Sequence, residues 1–206
     1  MTFTDLRAGG RALADLLAAR PAGRDALVLG IVRGGVYAAL DVARTLDLPL
    51  DLIVKRGLLQ DGSGHLCSAV RVAGTLVLDE RCTSLPAGSP ERALVDEALP
   101  ALAAREAVCR GTRAPARVAE RTVLLVDNGM RTGRTMALAI GAVRSMNAGR
   151  VIAAAPVGSQ AAIAHVAQVA DEVHCVATPA VLGNVAMAYA RFDVPRDEQI
   201  RGLLEQ

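Results

Sequence analysis

The sequence predicts an α/β protein with a mostly parallel central sheet flanked by helices. Apolar runs within the segments 26–32, 121–126 and 151–157 are typical of strands that are covered on both faces. Helical periodicity follows the first two of these runs, so strands and helices alternate along the chain. Alternation of this kind favours parallel strands whose sheet is packed with helices on both sides.

Composition places the 206-residue chain among single-domain globular proteins. Hydrophobic residues make up 52% but aromatic residues only 2%, so the core must pack through aliphatic side chains. A net charge of +2 is too small for a general nucleic-acid surface, and we expect no nucleic-acid partner. Without an apolar stretch of membrane-spanning length or a recognisable leader, we expect a cytoplasmic protein with no membrane partner.

The first quarter of the chain is predicted to form a βαβ unit. Thr4 or Asp5 caps a preceding helix, which continues to about Arg20 and is broken by Pro21. The unit itself comprises a strand over 26–32, a helix over 36–46 and a strand over 50–54.

The middle of the chain is expected to be less regular. Glycine and polar residues over 57–64 predict a mobile loop, and a hairpin is expected over 69–78. Ser89 begins a helix that reaches about Arg110, and Pro100 is expected to kink or divide it.

The second half repeats the alternation of strands and helices. Strands are predicted at 121–126, 151–157 and 172–176, with helices over about 135–146, from about 159 and from about 195. The whole chain, 1–206, is interpreted as one domain.

The four cysteines favour a structural role. Cys67, Cys82, Cys109 and Cys175 contain no CxxC pair, and the histidines do not join them at metal-ligand spacing. We therefore expect buried structural cysteines rather than a metal site.

Three polar segments follow predicted strands and should meet at one sheet edge. Asp127 ends the strand 121–126 and suits a ribose diol, while the arginines, hydroxyls and backbone N–H groups of 131–135 suit a phosphate. The segment 33–35 could wrap a pyrophosphate, and Lys55-Arg56 adds a third anion site. Each segment alone also fits an ordinary turn or a solvated charge, but their coincidence favours a metabolite with both a phosphate and a pyrophosphate.

The segment 123–136, with the sequence VLLVDNGMRTGRTM, resembles the signature of type I phosphoribosyltransferases for phosphoribosyl pyrophosphate (PRPP). The resemblance runs from about Phe3 to Leu204 and includes the segments 31–36, 52–56 and 189–192. It is strongest to a loosely characterised group of predicted phosphoribosyltransferases.

The resemblance implies a type I phosphoribosyltransferase fold, with a core over about 24–177 and a hood formed by 178–195 and the terminal segments. It implies Mg²⁺-dependent transfer of ribose 5-phosphate from PRPP to a small-molecule acceptor such as a nucleobase, with loss of pyrophosphate. It also implies a homodimer and a cis peptide within 32–34.

The resemblance assigns roles residue by residue. The catalytic group comprises Asp127, Asn128, Arg33 and Lys55, and Asp127 holds Mg²⁺ directly or through water. The remaining assignments are Gly129, Arg131, Thr132, Gly133, Arg134 and Thr135 for the 5-phosphate, Arg33, Gly34, Gly35, Lys55 and Arg56 for pyrophosphate, and Val181 and Leu182 for the acceptor hood.

Three departures from the family pattern keep other functions open. Asn128 replaces an acidic residue and adds no negative charge, which reduces catalysis more than binding. Arg131 argues against a 6-oxopurine acceptor and could contact an acidic one, and the hood lacks a stacking aromatic. His65 in the atypical loop 58–67 either reaches the site on closure or stays solvated. The alternatives are a PRPP- or nucleotide-binding sensor without catalysis and, less supported, a ribose phosphate phosphohydrolase.

Overall fold

The computed structural model describes residues 3–20, 23, 25–60 and 66–205. Its strands are β1 (Ala26–Ile31), β2 (Leu50–Gln60), β3 (Leu66–Val72), β4 (Thr75–Leu78), β5 (Thr122–Val126), β6 (Arg150–Val157) and β7 (Glu172–Ala177). Its helices are α1 (Leu6–Ala18), α2 (Gly35–Leu46), α3 (Glu80–Thr83), α4 (Pro90–Arg110), α5 (Arg134–Ser145), α6 (Gln160–Val166) and α7 (Asp197–Leu204), with a 3-10 helix at Val185–Ala188.

The seven strands form one sheet in the order β4-β3-β2-β1-β5-β6-β7. The five strands from β2 to β7 in this order are parallel, while β3 and β4 add an antiparallel extension. The strand order changes direction between β1 and β5, and the crevice beyond the carboxyl ends at such a point is where α/β sheets bind ligands. The predicted fold class is confirmed.

Helices cover both faces of the parallel strands. One face packs residues such as Val28 and Leu124 against α1, α2, α4 and α7. The other face packs residues such as Leu27 and Leu125 against α5 and α6. Successive residues of β1 therefore enter opposite layers, which explains why the strand is apolar throughout.

The predicted loop over 57–64 is wrong for its first residues, and so is much of the loop assigned to 58–67. Strand β2 continues to Gln60 and pairs antiparallel with β3, with a register irregularity between Gly57 and Leu59. The irregularity accommodates the glycine without ending the pairing. His65 lies outside the described residues.

Helix α4 is not divided at Pro100, because it continues from Pro90 to Arg110. Pro100 lies on the exposed side, and Val95 and Leu102 bury the opposite side against the protein. Tertiary packing therefore holds the two parts of α4 together despite the proline. Asp5 caps α1 and Ser89 caps α4, as predicted.

Three of the four cysteines are buried, and two of these three are joined. A disulfide links Cys67 of β3 to Cys82 of α3, and both side chains are buried. Cys109 is buried and Cys175 half-buried, both as free thiols. Within the described ranges, no three His, Cys, Asp or Glu residues are grouped to hold a metal ion. The described helices include none that is long and apolar enough to cross a membrane.

The two terminal segments pack together at the carboxyl side of the sheet. Phe3 N donates to Ala188 O and Ala190 N donates to Phe3 O, each at 2.7 Å. The ring of Tyr189 contacts Phe3 and Phe192, with centroids 5.6 and 5.5 Å away. Tyr189 and Phe192 thus pack the C-terminal segment against the N-terminal one.

Candidate active site

The loops that follow β1 and β5 contact each other at the carboxyl edge of the sheet. A Cβ atom on Gly35 would lie 2.8 Å from both Asp127 Cα and Val126 O, and one on Gly34 would lie 2.9 Å from Asn128 Cγ. Only glycine leaves room for this contact. The sequence predicts that these glycines give access to pyrophosphate, and the structure adds a packing reason. The Val32–Arg33 peptide is cis, as the resemblance implied.

Asp127 lies beneath the loops that follow β1 and β5 and is only 4% exposed. Its Oδ1 accepts a hydrogen bond from Asn128 N at 2.8 Å, and its Oδ2 lies 3.9 Å from Lys55 Nζ. Burial raises the pKa of this carboxyl, and the Lys55 cation opposes the rise. The predicted catalytic pair Asp127 and Lys55 is therefore brought together, with the carboxylate turned toward the lysine.

The first half of the β5 loop is held by the C-terminal segment. The Tyr189 hydroxyl donates a hydrogen bond to Asn128 O. Burial raises the pKa of Tyr189, and the charge of Asp127 acts in the same direction, so the hydroxyl remains a donor. A Cβ atom on Gly129 would lie 2.5 Å from Val185 Cγ1, so the 3-10 helix also rests on this loop.

The second half of the loop is held by the start of α6. Ser159 Oγ donates to Arg131 O at 2.8 Å, and Ser159 N donates to Met130 O at 3.0 Å. Gly133 adopts φ = 75°, and a Cβ atom there would lie 2.8 Å from Ala162 O. The glycine is therefore required by the turn and by α6, in addition to the phosphate access predicted from sequence. The side chains of Arg131 and Thr132 are exposed.

Two helix N-termini at this edge have no side-chain cap among the described residues. Helix α2 begins after Gly34 and α5 begins after Gly133, and neither glycine can supply a capping side chain. Asp5, Ser89 and Ser159 instead cap α1, α4 and α6. Helices α2 and α5 thus begin without a capping side chain, an arrangement that suits the backbone N–H groups of a helix start to an anion.

A cationic cavity of about 390 Å³ lies between β2, β3 and the start of α5. Its lining brings together three residues predicted to bind pyrophosphate, Arg33, Lys55 and Arg56, with Thr135 of the predicted phosphate loop. Arg105 of α4 also lines this cavity and was missed by sequence reasoning. Positive charge concentrated in a partly enclosed space suits a multiply charged anion.

An apolar cavity of about 560 Å³ lies on the other side, next to the ends of β6 and β7. Val181 and Leu182, the predicted hood residues, line it together with Val157 and Met187. Val181 is 84% exposed and Met187 75% exposed, so this wall is open to solvent. No charged residue is present among the described residues that line the cavity.

Comparison with known proteins gives the family to which this chain belongs. The family model for the phosphoribosyl transferase domain matches residues 4–190. The chain therefore belongs to the phosphoribosyl transferase family, and the resemblance seen in the signature segment is confirmed.

Two curated proteins from strains of Mycobacterium tuberculosis, each named "Putative phosphoribosyl transferase", are 34% identical over 208 residues. The match covers 99% of this chain but 46% of each relative, so the chain spans about half of their length. The crystal structure of TT1426 from Thermus thermophilus is 31% identical, with a TM-score of 0.81 over 99% of this chain and 98% of that one.

A more distant structure shows the fold alone. A hypothetical protein from Neisseria gonorrhoeae, solved with bound ppGpp, is 14% identical with a TM-score of 0.52. The match covers 100% of this chain and 94% of that one.

The residues that sequence reasoning missed all act through long-range contacts. Arg105 reaches the cationic cavity from the middle of a helix whose sequence carries no motif. Ser159 was identified only as a helix start, yet its hydroxyl also fixes Arg131 O. Tyr189 was identified only as part of the resembling segment 189–192, yet its hydroxyl holds the loop at Asn128.

Proposed function

We propose that this chain binds PRPP at the carboxyl edge of its sheet and transfers ribose 5-phosphate to an uncharged small-molecule acceptor. The observation that carries the proposal is the meeting of two uncapped helix N-termini with a cationic cavity at the loop 127–135. A phosphate at one end and a pyrophosphate at the other would use both features. Membership of the phosphoribosyl transferase family supports the same reaction class.

In this proposal the 5-phosphate binds the backbone and hydroxyls of 131–135 at the start of α5. The ribose lies over Asp127 and Asn128, and the pyrophosphate occupies the cationic cavity beside Arg33 and Lys55. The bond between C1 of the ribose and the pyrophosphate oxygen breaks, and its electron pair leaves with pyrophosphate. A lone pair of the acceptor forms the new bond to C1, and the acceptor's proton is released to solvent.

The cations of the cavity contribute by stabilising charge that develops as the bond breaks. Pyrophosphate gains negative charge on departure, so Arg33 and Lys55 interact with it more strongly in the transition state than before. The buried carboxylate of Asp127 lies 3.9 Å from Lys55 Nζ and, in this proposal, beneath the ribose, where positive charge develops. Asn128 offers hydrogen bonds to the ribose but no such charge.

The family implies Mg²⁺, and the residues present fit an ion brought in by PRPP. Asp127 pairs with Lys55 of the cationic cavity, and within the described ranges no three His, Cys, Asp or Glu residues form a metal site. Mg²⁺ commonly keeps several waters and binds substrate phosphates with only one or two carboxylates. Asp127 would hold it through water, and the ion when bound would share the charge of pyrophosphate with Arg33 and Lys55.

The apolar cavity is proposed to hold the acceptor. Its lining supplies Thr178 as a polar side chain but no cationic side chain to balance the charge of a carboxylate or phosphate. Arg131, which could have contacted an acidic acceptor, is not part of this lining. An uncharged acceptor with an apolar face therefore fits best, and hydrogen bonds to it would come from Thr178 and the backbone.

The proposed reaction is tested by pyrophosphate release. The protein is incubated with PRPP, Mg²⁺ and a panel that pairs uncharged heterocyclic bases with carboxylated analogues of the same ring. We expect pyrophosphate release with an uncharged base and none with its carboxylated analogue. Release only with the carboxylated analogues would contradict the acceptor assignment.

A binding sensor is the alternative function, and Asn128 is the residue that favours it. Its backbone is fixed by Tyr189 and its side chain by contact with Gly34, so it can hold a ribose without supplying catalytic charge. PRPP binding by calorimetry with no pyrophosphate release on any acceptor would establish the sensor. If Asn128→Asp then releases pyrophosphate, the amide is what limits catalysis.

A further inference from the structure

Arg105 connects three parts of the molecule at the wall of the cationic cavity. Its Nε and Nη2 donate to the two carboxylate oxygens of Asp197 at 2.9 and 2.8 Å, a bidentate pair. Its Nη1 donates to Lys55 O at 3.2 Å. A residue of α4 thus links the first residue of α7 to the backbone of β2.

The bidentate pair fixes the direction in which Arg105 reaches Lys55. The side chains of Arg105 and Asp197 are 24% and 29% exposed, so the pair is largely shielded from water. Helix α7 is itself anchored, because Ile200 and Leu204 are buried in the core. Asp197 is therefore a fixed point, and the planar guanidinium transmits its position to the Lys55 carbonyl.

The backbone of Lys55 pairs with Val70 of β3, but the ion pair of its side chain is loose. Its Nζ lies 3.9 Å from Asp127 Oδ2, which is longer than a hydrogen bond. Its strand continues to the irregularity at Gly57, two residues further on. The Arg105 contact adds a hydrogen bond at the carbonyl of Lys55.

We propose that Arg105 is a positioning residue for Lys55, held in place by Asp197, and that α7 thereby sets the affinity of the pyrophosphate site. The proposal rests on the proposed function, because the readout is PRPP binding. Asp197 balances most of the charge on Arg105, so the arginine acts through Lys55 rather than as another direct phosphate ligand.

The test compares PRPP affinity by calorimetry in Arg105→Lys and Asp197→Asn with that of the wild-type protein. Arg105→Lys keeps the charge but loses the fork that spans Asp197 and Lys55 O, and Asp197→Asn loses the charge that fixes it. We expect each variant to bind PRPP about tenfold more weakly, as for other residues coupled through direct contact. The matched controls are Arg92→Lys and Asp96→Asn, an exposed pair on the same helix, which should leave affinity unchanged.

A second comparison separates positioning from direct contact and from stability. In a Lys55→Met background, Arg105→Lys should cause no further loss of PRPP affinity, because the residue it positions is gone. Lys55 is the only lysine in the sequence, so its reductively ¹³C-methylated side chain gives one assignable lysine resonance. This resonance should shift in Asp197→Asn but not in Asp96→Asn.

Failure of the proposed function and failure of this inference give different results. No PRPP binding by the wild-type protein would overturn the proposed function and this inference with it. Wild-type binding with unchanged affinity in Arg105→Lys and Asp197→Asn would overturn the inference alone, even if both variants melt at lower temperature. If Arg105→Lys lowers PRPP affinity equally in the wild-type protein and in the Lys55→Met background, the inference is also overturned and Arg105 is a direct ligand.

Discussion

At the scale of single residues, Asp127 lowers the stability of the folded protein and has a proposed catalytic role. The carboxyl is buried beneath two glycine-containing loops, and its partners are Asn128 N and the more distant Lys55. A buried carboxylate with one hydrogen bond and one loose ion pair costs stability. Such a cost is common where a fold maintains a charged group for its function.

Asp127→Asn is expected to raise the stability of the folded protein near neutral pH. The unfolded carboxyl titrates near 3.8, and burial raises its pKa in the folded state. Between these values the folded protein holds a proton that the unfolded chain has lost, so stability falls as pH rises through that interval and remains lower above it. The amide has no such titration and can still accept from Asn128 N.

Urea unfolding of the wild-type protein and Asp127→Asn over a pH series checks this. The stability gained by Asp127→Asn should be largest above the pKa that Asp127 has in the folded protein, and it should shrink as pH falls toward 3.8. An Asn variant that is less stable than wild type near neutral pH would mean that the Lys55 interaction outweighs burial. PRPP binding should weaken in the same variant.

Gly35→Ala is expected to disrupt the site by steric contact. The added Cβ would meet backbone atoms of Asp127 and Val126 at 2.8 Å, and forced contacts of this kind cost about 1–3 kcal/mol. The matched control is Gly141→Ala in α5, where nothing lies within 4 Å and helix propensity should add about 0.5–1 kcal/mol. Denaturant unfolding and PRPP calorimetry would check both variants, and an unchanged Gly35→Ala would contradict the described loop contact.

Sequence reasoning located the residues of the site that are close together along the chain. The loop 127–135 and the segment 33–35 could be found because strand, turn and helix signals surround them. Arg105 could not, because its approach to Lys55 depends on how a distant helix packs across β2. The inward direction of Asp127 toward Lys55 likewise depends on the pairing of β1 with both β2 and β5.

At the scale of elements, the strands that are covered on both faces were the most predictable. Apart from Thr122 and Arg150 at their first positions, strands β1, β5 and β6 are apolar because both layers bury them. The extension of β2 to Gln60 was not predictable from its glycine and polar residues, because it depends on pairing with β3. Helix α3 has four residues, too few for a periodic pattern.

Reduction of the Cys67–Cys82 disulfide is expected to weaken the antiparallel extension. The bond links β3 to α3 over a sequence separation of 15. Loop-closure entropy for a loop of this length gives a stabilisation of up to about 3 kcal/mol. Guanidinium unfolding with and without a phosphine reductant measures it, and Cys67→Ser with Cys82→Ser should match the reduced protein. Equal stability in all three forms would contradict the contribution of the bond.

At the scale of the whole molecule, the proposed site joins two unlike cavities across the loop 127–135. The cationic cavity lies toward β2 and β3, and the apolar cavity lies toward β7 and the C-terminal segment. PRPP and an uncharged acceptor would occupy them from opposite sides, with C1 of the ribose between them. The strand order places both cavities at one edge, since β1 and β5 are neighbours at the centre of the sheet.

The most direct test of PRPP binding at this edge is protection of Lys55 from chemical modification. Because Lys55 is the only lysine, an amine-reactive reagent followed by peptide mass spectrometry reports on this side chain, and the N-terminal amine serves as an internal control. We expect PRPP to slow modification of Lys55 strongly, ribose 5-phosphate to slow it little, and neither to affect the N-terminal amine. Unchanged Lys55 modification at PRPP concentrations that saturate binding by calorimetry would contradict the assignment of the pyrophosphate to the cationic cavity.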